Sequence, residues 1–227
     1  MTTLARSLAQ SMGYSRGRSP DHVASRPGPL EAARVNAPLF RRLVESLNTE
    51  RRSVVLDLGP VRSETVALLT PFRCRLEIAD LADSLAGLES TEGLEAPPDS
   101  ALLRERADAL LPPRNREPVD IVLCWDLLNY LQRPALTALM DSVAERMRPG
   151  ALAHALIVYS DIRMPTRPNQ YSPHGDGQLA EVATTSDQRN APRYSPEDLR
   201  LCLRSFRSDG ATLLKNGMQE FLFRAWS

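Results

Sequence analysis

Apolar positions change rhythm several times along the chain, and each change predicts an element. Val35, Leu39, Leu43 and Leu47 recur every fourth residue with Phe40 alongside, which predicts a helix laid on a core. Strands are expected at 53–58, at Arg75-Leu76-Glu77-Ile78-Ala79 and at 151–159, and the continuous apolar run 121–125 has the pattern of a strand covered on both faces. Ser63 is placed to cap a helix carrying Val66, Leu68 and Leu69 that stops near Pro71. The stretch 82–100 holds a short helix and the Pro97-Pro98 break. Pro134 suits the first turn of a helix whose Leu136, Leu139, Met140, Val143 and Met147 share a face, with Pro149-Gly150 as its end. Ser195-Pro196-Glu197-Asp198 has a capping hydroxyl, a proline in the first turn and an acid at the third position, so it predicts a helix start. ATLLKNG and MQEFLFRAW read as two strands joined by a turn at Asn216-Gly217.

Two segments lack a period. Residues 1–30 are rich in turn formers and are expected to be a flexible tail, which leaves 31–227 as the folded domain. Residues 160–194 are polar and proline-dotted, and a stretch that long inside a domain predicts a cover over a functional site. The repeated strand–helix alternation predicts an α/β fold, a doubly wound and mostly parallel sheet, with the closing hairpin supplying an antiparallel edge. Such sheets bind ligands beyond the carboxyl ends of their strands. Gly59 would let a backbone approach closely there. Asp80 lies about 20 residues past the glycine turn, where a carboxylate can accept from both hydroxyls of a ribose. Asp126 directly follows a buried strand and so needs solvent or a partner, which directs it to a pocket.

Bulk composition narrows the partners. The 227 residues are 42% hydrophobic and 25% charged, with formal net charge zero, so no global field attracts nucleic acid or anionic membrane. The basic residues are almost all arginine, with Lys215 the exception. Cys74, Cys124 and Cys202 are far apart and odd in number, which argues against a disulfide framework or a metal site and for buried thiols in a reducing compartment. No run of about 18 apolar residues occurs. Arg6, Arg16 and Arg18 in an acid-free opening fit a transit peptide or, preferably, a flexible tail, and a cytoplasmic location is expected.

LDLG at 56–59, IADL at 78–81, ADALLP at 107–112, DIVLCWDLLNYL at 120–131 and MRPGALAHALIV at 147–158 stand in an order that resembles the class I S-adenosylmethionine-dependent methyltransferases. The resemblance runs from about residue 35 to the C-terminus. It implies a Rossmann-like fold, S-adenosyl-L-methionine as cofactor, no metal, and methyl transfer to a small-molecule acceptor. By the same resemblance Asp57 orders the loop and helps hold the cationic methionine end, with Gly59 against it. Asp80 takes the ribose, Leu81 lies on the adenine, Asp108 accepts from the adenine amino group with Ala109 nearby, and Trp125 and Asp126 border the methionine and the methyl.

The loop departs from that family. Glycines belong at every second place after the acid, and here those places hold Gly59, Val61 and Ser63, with Pro60 between. A β-branched valine strains at positive φ, so the loop cannot copy the common path. A non-catalytic binding or scaffold protein of the same fold is therefore the alternative. A nucleic-acid methyltransferase ranks third: residues 1–45 carry an arginine excess, but Trp125-Asp126-Leu127-Leu128 stands where an Asn-Pro-Pro-aromatic motif would serve base amines. A dehydrogenase would want the missing third glycine. Candidate bases are Asp126, His154, His174 and Tyr130, with His154 read as a core histidine and His174 as a solvated loop residue. Arg163, Arg167, Arg189 and Arg193 in the cover are offset by Asp161, Asp176, Glu181 and Asp187.

Overall fold

A computed structural model describes residues 32–226 apart from 94, 115 and 176; the expected flexible tail lies outside the described residues. In chain order the elements are β1 (Ala33–Asn36), α1 (Pro38–Glu45), β2 (Ser53–Asp57), α2 (Ser63–Leu69), β3 (Cys74–Ile78), α3 (Leu85–Leu88), α4 (Ser100–Leu110) and β4 (Val119–Trp125). A 3-10 turn (Leu127–Tyr130), α5 (Arg133–Ala144), β5 (Met147–Val158), β6 (Arg163–Pro165), β7 (Gln170–His174), β8 (Gln178–Val182) and β9 (Gln188–Asn190) follow. The chain closes with α6 (Pro196–Cys202), β10 (Phe206–Leu213) and β11 (Met218–Ala225).

The apolar runs form one six-stranded sheet in the order β10-β11-β5-β4-β2-β3. β3, β2, β4 and β5 are parallel, and β11 and β10 add antiparallel neighbours at one edge. The fold class is the one the alternation predicts. From β2 the chain steps outward to β3, then crosses back to lay β4 on the other side of β2. The switch point therefore falls between the carboxyl ends of β2 and β4, where Asp57 and Trp125 end their strands.

Several boundaries differ from the sequence reading, each for a local reason. Val35 sits in β1, not in the first helix, because Pro38 occupies the first helical turn and holds Ala37 at φ −123°, ψ 79°. Ser63 opens α2 without capping it; Arg62 is the N-cap, and the Ser63 hydroxyl bonds Glu64 instead. Residues 107–110 of the ADALLP segment are the end of α4, an element the apolar pattern does not reveal. Asp99 starts it by accepting from the Leu102 amide at 2.8 Å. α5 stops at Ala144, so Met147 and Pro149-Gly150 belong to β5. The surplus residues are absorbed as an irregularity against β4, with Gly150 at φ +83°.

The expected irregular cover carries four short strands. β6 pairs with β9, and β7 pairs with β8, which in turn pairs with β1. Beneath it, α1 is anchored by a buried carboxylate on β11. Glu220 accepts from the amides of Leu39 at 3.0 Å and Phe40 at 2.7 Å, and His154 Nε2 on β5 lies 2.9 Å from the same group. His154 is thus a core residue, as its position in an apolar run suggests.

Candidate functional site

A pocket of about 250 Å³ opens at the carboxyl ends of the parallel strands. Gly59, Asp80, Trp125 and Asp126 line it from the sheet, and Arg167, Asn169, Gln170 and Tyr171 from the cover. From the long polar stretch, residues 167–171 and Thr184 border this pocket.

Asp57 stands behind this wall. Its Oδ1 accepts from the Gly59 amide at 2.9 Å and from the Trp125 indole Nε1 at 2.6 Å. Burial pushes its carboxyl up to about 6, against the pull of those two hydrogen bonds and with Asp80 adding to the rise. The indole is enclosed by aromatic neighbours: Tyr171 stacks on it at 6.1 Å, Phe40 lies at 5.9 Å and the His154 ring at 6.3 Å. Trp125 adopts φ +50°, a left-handed conformation costly for a bulky residue. The glycine expected to admit a ligand has a nearer reason to be there. A Cβ on Gly59 would stand 2.7 Å from Trp125 Cδ1.

Asp126 is 3% exposed. Its Oδ2 accepts from the Asn169 amide at 3.0 Å, while its Oδ1 is buried without a partner. Burial raises this carboxyl to about 8, opposed by the Asn169 amide and reinforced by Glu181. Asn129 holds the backbone around it. The Asn129 Nδ2 donates to the carbonyls of Asp126 and Leu156, both at 2.8 Å, and its Oδ1 accepts from the Val158 amide at 2.9 Å. That stitch fixes the turn after β4 to β5. Glu181 on β8 accepts from Asn169 Nδ2 at 2.8 Å and from the Tyr171 hydroxyl at 3.0 Å. Asp80, with φ +46°, is exposed at the pocket mouth.

The sequence-predicted residues divide. Gly59, Asp80, Trp125 and Asp126 meet in one pocket, with Asp57 bonded to two of them. Leu81 does not line it; its side chain is core, and its amide donates to the Leu58 carbonyl. Asp108 and Ala109 are also elsewhere, on the last turn of α4. Asp108 bonds Arg146 Nη1 at 3.0 Å and pairs with Arg114, and Ala109 faces solvent. Val61 points out to solvent, so the altered loop does not fill the crevice, though Arg62 Nη1 ties the loop to Gln170 at 2.7 Å. Of the base candidates, the Tyr130 hydroxyl is engaged with the Arg167 carbonyl at 2.8 Å and His174 is exposed. Asn129, Asn169, Tyr171 and Glu181 escaped the sequence reading. Only Asn129, a polar break inside LLNYL, left a signal.

The two raised acids have a consequence for stability. Their ordinary value is 3.8, so between about pH 4 and pH 8 the folded chain holds protons that the unfolded chain releases. That contribution is complete below pH 4 and is lost as pH rises through 6 and then 8. Denaturant midpoints of the ligand-free protein are expected to fall between pH 5 and pH 8.5, and Asp126→Asn to flatten most of the fall. An equal slope in the variant would contradict this assignment.

The fold and site define a Rossmann-like α/β protein with an acid-lined crevice at the switch point of a doubly wound sheet. No protein-family model and no curated protein matches the sequence. Similar solved structures include the Burkholderia thailandensis 1,6-didemethyltoxoflavin-N1-methyltransferase with bound 1,6-didemethyltoxoflavin and S-adenosylhomocysteine, at 17% identity over 83% of this chain and 78% of that one, TM-score 0.44. An S-adenosylmethionine-dependent methyltransferase from Clostridium acetobutylicum is 14% identical over 83% of this chain and 89% of that one, TM-score 0.48. The glycopeptide N-methyltransferase MtfA complexed with S-adenosylmethionine is 14% identical over 82% and 85%, TM-score 0.44.

Proposed function

We propose that this chain is an S-adenosyl-L-methionine-dependent methyltransferase acting on a small-molecule acceptor. The observation that carries the reading is Asp126: a buried carboxylate with an unpartnered oxygen, in one pocket with Asp80 and Gly59 at the switch point. These residues fit the ribose and sulfonium end of the cofactor. Asp80 offers two acceptor oxygens at the mouth, where a ribose presents two hydroxyls. The Asp126 carboxyl and the Asp57 carboxyl behind Gly59 give the inner wall groups whose ionised forms a bound sulfonium would favour, lowering their raised values. Bound there, the cofactor supplies an activated methyl group and a neutral thioether leaving group.

The chain's own work is alignment and exclusion of water. Trp125 and Tyr171 form a rigid aromatic wall, and the Asn129 stitch fixes Asp126 relative to it, so that orientation accounts for most of the rate. Asp126, with its carboxyl raised to about 8, holds a proton near neutral pH in the ligand-free chain; a bound sulfonium would draw that value down and leave the carboxylate able to take a proton from the acceptor. The pocket volume, about 250 Å³, lies below the roughly 300–1,000 Å³ usual for small-molecule sites. The cover segment carrying Arg167 to Tyr171 must therefore shift when cofactor and acceptor are both bound.

A second reading, a non-catalytic protein of the same fold, is favoured by one observation: the indole rests on Gly59 and Asp57, beside the altered loop. The arginine excess behind a nucleic-acid role lies mostly outside the described residues. Among those described, no helix is long and apolar enough to cross a membrane. Calorimetry with S-adenosylhomocysteine tests the two readings. The wild type is expected to bind it, and Asp80→Ala to weaken binding at least tenfold, about 1.4 kcal/mol, beside the small stability loss that alanine incurs at φ +46°. A wild type that takes up no S-adenosylhomocysteine would favour the non-catalytic reading.

A further inference from the structure

The buried polar atoms of the pocket wall are unequally matched. Three of its side-chain donors are used: the Trp125 Nε1 on Asp57, the Tyr171 hydroxyl on Glu181, and the Thr184 hydroxyl on the Pro168 carbonyl at 2.8 Å. The exposed Arg167 guanidinium lies 3.9 Å from Asp83 at the rim. Two buried wall atoms lack a partner, Asp126 Oδ1 and Asn169 Oδ1, and both are acceptors once Asp126 is ionised, as a bound cation would make it. The Asn169 amide is not free to turn over. Glu181 accepts only, so it holds the amide nitrogen toward itself and leaves the oxygen as the unmatched end. Leaving such groups unpaired costs about 1–3 kcal/mol each, so a ligand that donates to both gains what the apo protein lacks.

We infer that the methyl acceptor presents a nitrogen with at least two N–H bonds, a primary amine or its ammonium, to Asp126 Oδ1 and Asn169 Oδ1. This deepens the proposed methyltransferase reading and rests on it. A hydroxyl brings one hydrogen and can satisfy one of the two oxygens. A carboxylate brings none and meets Asp126 and Glu181 as like charges. An amine paired with a buried carboxylate forms a charge-assisted hydrogen bond, stronger than a neutral one. Before attack, the ammonium proton passes to Asp126. The nitrogen lone pair then forms the N–C bond while the C–S bond breaks, its electron pair staying on the thioether sulfur. The product is a secondary ammonium, which loses its proton to water.

The amino group at the cofactor's methionine end has the same chemistry, so the experiment must separate the two sources. Benzylamine, benzyl alcohol and benzoate are titrated into the full chain by calorimetry, alone and with saturating S-adenosylhomocysteine. Benzylamine is expected to bind at least tenfold tighter than benzyl alcohol in both conditions, benzoate not at all, and Asp126→Asn to remove the preference. Equal affinities for amine and alcohol overturn the inference. A preference that vanishes on saturation with S-adenosylhomocysteine also overturns it, since the nitrogen site is then the cofactor's. Absent S-adenosylhomocysteine binding defeats the methyltransferase reading instead, and the probes alone still decide whether the site selects an amine. The three-probe comparison on the wild type stands even where Asp126→Asn fails to fold.

Discussion

Replacing Glu220 with alanine is expected to cost about 3–5 kcal/mol of stability, the range for removing one partner from a buried hydrogen-bonded charge. For a chain of this size that is a fall in melting temperature of roughly 6–20 °C. The reason is the number of groups that depend on one carboxylate. Glu220 is 0% exposed, and it alone caps the amides of Leu39 and Phe40 and meets His154, also 0% exposed. Alanine would strand two helix N–H groups and an imidazole away from water, and would leave a cavity beside them. The effect should reach the pocket, because Phe40 in the first turn of α1 packs on Trp125. Glu220→Gln keeps one carbonyl oxygen and should lose less than half as much. Calorimetric or denaturant unfolding of both variants provides the measurement, and a loss below about 1 kcal/mol for Glu220→Ala would show that α1 is held by packing alone.

What the sequence disclosed follows from which forces act locally. Continuous apolar runs reveal β2, β4 and β5 because strands buried on both faces must be apolar throughout. The capping box at Ser195 is readable because its partners lie three residues apart: the Ser195 hydroxyl accepts from the Asp198 amide at 3.1 Å, and Asp198 accepts back from the Ser195 amide at 3.0 Å. The hairpin at Asn216-Gly217 is readable for the same reason, with Gly217 at φ +81°. Elements held by distant partners are not. β1 exists because Val35 finds Leu179 on β8, and nothing near Val35 announces that pairing. α4 buries only Leu103 and Ala107 and spends its charged face on ion pairs such as Arg104 with Asp141 of α5, so its apolar stripe is too thin to read. Asp108 shows the limit most plainly. An acid in the expected place is indistinguishable from a ligand until Arg146 arrives beside it from 38 residues away. The strand-end acids are placed correctly at the sheet's carboxyl edge because position at the end of a buried strand is a topological fact, and the sequence carries topology well.

Gly59→Ala is the second change with a large expected effect, and its cause is a side chain. The added methyl would stand 2.7 Å from Trp125 Cδ1, 2.9 Å from its Nε1 and 3.3 Å from Asp57 Oδ1. The indole has nowhere to go: it is 3% exposed, bonded to Asp57, stacked on Tyr171 and flanked by Phe40. Overpacking of a filled core costs about 1–3 kcal/mol, and here it also pulls the indole off Asp57 and tilts the pocket wall. S-adenosylhomocysteine binding should weaken at least tenfold. Pairing the change with Trp125→Phe separates the two possible reasons for the glycine. If the indole demands it, the smaller ring of the double variant relieves the clash, and the two stability losses fall short of adding. If the glycine serves only the approach of a ligand, stability is untouched by Gly59→Ala, and the double variant loses no more than Trp125→Phe alone. Relief of the clash in a double variant that also recovers S-adenosylhomocysteine binding would show that the added methyl harms the pocket through the indole.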